Sequence, residues 1–256
     1  MKNKSKEDNL VTIGYDLDIW RDFGEKEEIF IDTSPKSNSH IILSGASGRG
    51  KTYCQNFILS KILSKNVNSK LYLSDYKRQD EYQFLKEFSR YFSYEKAIEG
   101  LHHVYELMKK RQSGEESIDK KIVFCFDEYV ACMLALQNVD SKNAKIEMNM
   151  TSELLMLSRT MNFTVITSSQ RPDASAYPSG ARLNYGINII LGNASQETYK
   201  MLMPDYIEQI KGRTFGVGEG VVLLQGSELR FIKIPKLSDE TKVQNILVDA
   251  LTRWCK

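Results

Sequence analysis

Apolar runs recur along the chain, and the stretches between them place apolar residues three and four apart. The runs are His40-Ile41-Ile42-Leu43-Ser44, Leu71-Tyr72-Leu73-Ser74, Ile122-Val123-Phe124-Cys125-Phe126, Phe163-Thr164-Val165-Ile166-Thr167 and Ile187-Asn188-Ile189-Ile190-Leu191. Each is too short for a helix and is bounded by turn or charged residues, the mark of a strand buried on both faces. Between them, Tyr53 to about Lys65 carries Phe57, Ile58, Ile62 and Leu63 on one side and predicts a helix. Residues 80–112 read as helical, charged and aromatic, and Glu147 to Thr160 as a further helix. Thr198 to Leu202 and Asp205 to Lys211 read as short helices. Gly220 to Leu224, a turn at Gln225-Gly226-Ser227, and Leu229 to Ile234 predict a terminal β-hairpin. Ser238, followed by Asp239 and Glu240, reads as the N-cap of a last helix reaching Trp254.

Strands alternating with helices predict an α/β fold, a mostly parallel β-sheet flanked by helices on both faces, with the hairpin at its C-terminal end. Residues 1–39 read separately, as a solvated tail and a small β element (Val11-Thr12-Ile13, Ile29-Phe30-Ile31) packing on a main domain of residues 40–256. In such sheets ligands lie beyond the carboxyl ends of the strands. The residues with chemical potential fall there: the loop after the first run, Asp127-Glu128 after the third, and Ser168-Ser169-Gln170 after the fourth.

Gly45-Ala46-Ser47-Gly48-Arg49-Gly50-Lys51-Thr52 has the G-x-x-x-x-G-K-T spacing of a phosphate loop. Its glycines let successive N–H groups turn inward onto phosphate oxygens, and the helix that follows adds its positive end. Lys51 is expected to reach the β- and γ-phosphates of ATP, Thr52 to place its hydroxyl on Mg2+, and Tyr53 to border the nucleotide. Asp127 is expected to hold the same Mg2+, and Glu128 to polarise the attacking water. Gln170 is expected to sense the γ-phosphate or position water. Arg159, Arg171 and Arg182 are candidates for an arginine supplied to a neighbouring subunit's site. These expectations describe a P-loop ATPase.

Composition narrows the partners. Thirty-five Lys and Arg against 33 Asp and Glu leave a formal net charge of +2, so bulk charge argues for no nucleic acid. A DNA backbone would have to be gripped locally, with Lys70, Lys77, Arg78, Lys109, Lys110 and Arg111 as contributors beside the acidic Glu115 and Glu116. Cys54, Cys125, Cys132 and Cys255 show no C-x-x-C pairing and read as free thiols. His40, His102 and His103 form no ligand spacing with them, so no zinc site is expected. The polar segment Met1 to Asp8 predicts no secretory signal, and no window approaches the roughly 18 apolar residues of a membrane span, which predicts a cytoplasmic protein.

Gly45–Thr52, Asp75-Tyr76-Lys77, the strand ending Asp127-Glu128, the Arg159 helix, Ser169-Gln170-Arg171-Pro172 and Gly216-Val217-Gly218-Glu219-Gly220 occur in an order that resembles the motor core of FtsK/SpoIIIE-type DNA translocases, in the HerA/FtsK superfamily. The likeness runs from about Ile13 to Ile234. It implies a RecA-like motor that assembles as a homo-hexamer around double-stranded DNA and hydrolyses ATP between subunits. The sequence departs from the family's Asp-Pro-Lys, reading Asp75-Tyr76-Lys77, and has Gly186 where an arginine often precedes the fifth strand. The stretch after Trp254 leaves no room for a winged-helix module. A short motor of this kind resembles the coupling proteins of plasmids, conjugative elements and phages, with a relaxase or a membrane channel as partner and recruitment to the membrane through that partner. Two other readings stand beside it: a secretion-type ATPase that moves a polypeptide, and a slow ATP-binding assembly switch.

Overall fold

The computed structural model describes residues 9–253. The N-terminal segment before Asn9 and the final Trp254, Cys255 and Lys256 lie outside the described residues, and with them most of the expected solvated tail. β1 (Leu10–Asp16), α1 (Leu17–Phe23) and β2 (Glu28–Asp32) open the chain. β3 (Ile41–Gly45), α2 (Lys51–Lys65), β4 (Lys70–Asp75), a 3-10 helix (Asp80–Leu85), β5 (Tyr91–Ser93) and α3 (Ala97–Gln112) follow. The middle comprises β6 (Ile122–Asp127), α4 (Tyr129–Val139), α5 (Ser141–Leu157) and β7 (Phe163–Ser169). The chain closes with β8 (Ile187–Leu191), α6 (Gln196–Leu202), α7 (Ile207–Ile210), β9 (Glu219–Leu224), β10 (Glu228–Lys233) and α8 (Glu240–Thr252).

All ten strands form one sheet in the order β2-β1-β10-β9-β8-β3-β7-β6-β4-β5. From β8 through β5 the neighbours are parallel, and from β8 back to β2 they are antiparallel. The β1–β2 hairpin therefore extends the main sheet through β10, continuous with the strands of residues 40–256.

Period-two alternation divides each central strand between two cores. Ile41, Leu43, Leu71, Leu73, Val123, Cys125, Ile187 and Ile189 face one, where Phe57, Ile58, Ile62 and Leu63 of α2 and Leu247 of α8 cover them. Ile42, Tyr72, Ile122, Phe124, Phe126 and Ile190 face the other, under α3, α4 and α5. Both faces are dry, which is why these strands read as continuous apolar runs.

Several elements depart from the sequence expectations. Residues 80–112 form not one helical stretch but a 3-10 turn, the strand β5 and a helix that starts at Ala97. The α4 helix was not anticipated, and the expected Glu147–Thr160 helix begins earlier, at Ser141. There Asp140 caps it by accepting bonds from Lys142 N and Asn143 N. The last helix is capped by Asp239 rather than Ser238, with the Asp239 carboxylate accepting from Lys242 N at 2.8 Å. No helix among the described residues is long and apolar enough to cross a membrane.

Candidate nucleotide-phosphate site

Register brings the chemistry to one level. Ser44 of β3 pairs with Ser169 of β7, Asp75 of β4 with Asp127 of β6, and Phe126 with Thr167. The carboxyl ends of four strands thus line up beneath the loop of residues 45–52.

That loop folds as its glycines allow. Gly48 and Gly50 have φ of 75° and 91°, a left-handed region that glycine enters without penalty. Gly50 is the N-cap of α2 and supplies no side-chain hydrogen bond, so the first N–H groups of a 15-residue helix stay free for an anion. Arg49 N donates to Ala46 O, and the carbonyl of Arg49 accepts from Gly218 N at 3.1 Å. The side chain of Arg49 runs over Gly192, where a Cβ would meet Arg49 Cδ at 2.6 Å.

The loop forms one wall of a cleft of about 500 Å3 lined by Ala46, Ser47, Gly48, Gly50, Lys51, Thr52 and Tyr53. Glu128 and Val217 contribute further walls, and Lys77 to Glu81 close the far side. Thr52, Tyr53 and Glu81 also border an adjoining cavity of about 350 Å3 whose apolar walls include Phe84, Leu237, Val243 and Leu247. Lys51 Nζ lies 3.3 Å from Glu128 Oε1, with both side chains nearly buried. Glu128 is held at φ 54° and ψ 39°, a left-handed conformation that strains a non-glycine residue, and its N–H donates to Ser168 Oγ at 3.3 Å.

Asp127 is buried beside it and accepts from the Ser168 hydroxyl and from Gln79 Nε2. Burial pushes its carboxyl up to about 6. The Ser168 bond and Lys51 oppose that shift, and the Glu128 and Asp75 carboxylates add to it. Thr52 Oγ1 donates to Gln79 Oε1 at 2.8 Å. The hydroxyl of Thr52 and the carboxylate of Asp127 are hard oxygen donors within reach of a single amide group. That set fits Mg2+, which takes one or two protein oxygens and keeps several waters.

The chain is similar to the FtsK-domain proteins. It is 26% identical over 226 residues to the FtsK domain-containing protein YdcQ of Bacillus subtilis (strain 168), a match covering 82% of this chain and 46% of that protein. The chain therefore spans about half the length of this relative. No family model matches it. Among solved structures, the cytoplasmic domain of the Thermomonospora curvata type VII secretion ATPase EccC superposes with a TM-score of 0.68 at 14% identity, covering 96% of this chain and 31% of that one. The pCW3 conjugation coupling protein TcpA, in a monomer form with ATPγS, superposes with a TM-score of 0.67 at 20% identity, covering 97% and 73%. The fold is that of a P-loop ATPase, a mostly parallel sheet with helices on both faces.

Against this FtsK-like frame, Gly45 to Thr52, Tyr53, Asp127 and Glu128 come together. Gln170, Arg159 and Arg182 do not. The side chain of Gln170 is exposed and off the cleft, and only its carbonyl is engaged, by Ser44 Oγ. Arg159 sits in the turn before β7, at the amino ends of the strands and the wrong edge for this chain's own cleft. Arg182 donates to the Pro172 carbonyl at 2.8 Å and borders a different cavity. Arg171 is exposed and pairs with Glu197 at 3.0 Å. One proposed DNA contact is corrected: Arg111 is buried, donating to the Met161 and Lys120 carbonyls. Lys109 pairs with Glu153 and keeps a partly exposed side chain. Lys77 and Arg78 stand on the cleft instead.

Sequence reasoning singled out Ser168 at the strand end but not its bond to Asp127, and it missed Gln79. The Asp75-Tyr76-Lys77 turn pointed to this part of the chain but not to the residue four positions after Asp75.

Proposed function

We propose that this chain is the ATP-hydrolysing unit of a double-stranded-DNA translocase or coupling machine, of the kind carried by plasmids, conjugative elements or phages. The observation that carries the reading is the meeting of Lys51, Thr52 and Glu128 on one cleft, with Asp127 directly behind Gln79 of its wall. In this reading the loop amides and Lys51 bind the triphosphate, and the adjoining apolar cavity receives the base. Lys51 exchanges Glu128 for a phosphate oxygen. The freed Glu128 then accepts a proton from water as its oxygen attacks the γ-phosphorus and ADP leaves. Mg2+ between Thr52 and Asp127 would neutralise charge on the β- and γ-oxygens. The active form is a homo-hexameric ring, with Arg159, Arg171 or Arg182 of one subunit supplied to a neighbour's cleft. A relaxase or membrane channel is the expected partner.

ATPase activity that rises with duplex DNA at low salt and vanishes in Lys51→Ala is the expected result. Activity indifferent to DNA overturns the DNA reading. The likeness to EccC favours one second reading, a motor that moves a polypeptide. Stimulation by a protein substrate with no DNA binding would select it.

A further inference from the structure

We propose that Gln79 is a latch on the phosphate site: its amide ties together the two groups that must open to receive a divalent cation with nucleotide. The inference rests on the nucleotide reading above. One neutral side chain satisfies both partners at once. Its Nε2 donates to Asp127 and its Oε1 accepts the Thr52 proton. The amide puts its positive end on the Asp127 carboxylate, as a hydrated cation would, and holds the proton of the Thr52 hydroxyl, whose lone pair a cation would take, so the two occupants exclude each other.

The surroundings confine the movement to a short strap. Gln79 N donates to Asp75 Oδ2 at 2.8 Å, and the same oxygen accepts from the Tyr91 hydroxyl at 2.8 Å. Beyond Gln79, the 3-10 helix is fixed to α2 because the Tyr82 hydroxyl accepts from Gln55 Nε2 and donates to Asn56 Oδ1. Arg78, immediately before Gln79, holds a φ of 56° without being glycine. Strain of that kind gathers where a segment has a second conformation to adopt. Opening the latch breaks a hydrogen bond to a charged group, so the closed state opposes the metal-bound nucleotide and leaves metal-free nucleotide nearly unaffected.

Equilibrium titration of the full chain with a fluorescent ADP, first in EDTA and then in MgCl2, reads this without turnover. Gln79→Ala is expected to tighten binding in Mg2+ roughly ten-fold while changing binding in EDTA by less than about two-fold. Gln79→Asn is one methylene too short to span both partners and is expected to move the same way. Thermal melts of both variants are expected to show a larger rise on adding Mg2+ and ADP than the wild type shows. An unchanged ratio of the two affinities in both variants, or weaker binding in Mg2+, overturns the latch while leaving the nucleotide site standing. A wild-type chain that binds no nucleotide in either buffer overturns the site itself, and the latch with it.

Discussion

Replacing Asp127 by asparagine exchanges a buried carboxylate for a neutral group of the same shape. Asp127 is 1% exposed, and burial raises its carboxyl from 3.8 to about 6 despite the Ser168 bond. Because the folded value exceeds the unfolded one, the folded chain holds this proton more tightly. Stability from this group is complete below about 3.8 and is lost as pH rises through about 6. The gap of about 2.2 units, at 1.36 kcal/mol per unit, sets a penalty of at most about 3 kcal/mol above pH 6. Asparagine avoids it: its Oδ1 can accept from Gln79 and its Nδ2 can donate to Ser168 Oγ. Asp127→Asn is therefore expected to raise the melting midpoint at pH 8. At roughly 2–4 °C per kcal/mol for a chain of this size, the ceiling is on the order of 10 °C. Melting curves at pH 8 and pH 4 check this, and the gain should vanish at the lower pH. A variant no more stable than wild type at pH 8, or equally stabilised at both, refutes the reasoning.

Glu128→Gln keeps the length of the side chain beside Lys51 but cannot take a proton from water. Nucleotide binding should survive and hydrolysis fall at least about 100-fold, read by titration and phosphate release. Ser168→Ala removes a bond that favours ionised Asp127, so the midpoint of Mg2+-dependent nucleotide binding against pH should move up from about 6 by roughly one unit; an unmoved midpoint counts against Asp127 as the metal ligand. In Gly220→Ala the new Cβ would lie 2.0 Å from the Ile190 carbonyl oxygen and 2.9 Å from Leu191 Cα, backbone atoms that have little room to yield. It should cost about 3 kcal/mol, seen as a lower urea midpoint.

The parallel half of the sheet was legible because both its faces are dry. β8 was expected at Ile187–Leu191 and is found there residue for residue. β5 was not, since Tyr91-Phe92-Ser93 is too short to show a period and is a strand only through its pairing with β4. Ser238 and Asp239 are both good caps, and only the path of the chain chooses between them. The phosphate loop and the Asp127-Glu128 pair were readable from spacing. Gln79 was not, because its role arises from a backbone bond to Asp75 and from contacts with residues 27 and 48 positions away. Arg159 marks a different boundary: it stands at the amino ends of the strands, away from this chain's own cleft, and its offer to a neighbouring subunit was read from residue type alone.

The link between the phosphate loop and the C-terminal hairpin is made of main chain. Gly218 N donates to Arg49 O, and Gly218 O accepts from Ile234 N at 2.7 Å. Such a relay carries no side-chain signature. Substitution at Arg49 or Ile234 should leave it intact, and only Gly218, at φ 71° with the Ile234 carbonyl 3.3 Å from where its Cβ would stand, resists replacement. A scan of side chains would therefore register this connection only at Gly218. Sequences could drift far apart around that connection without breaking it.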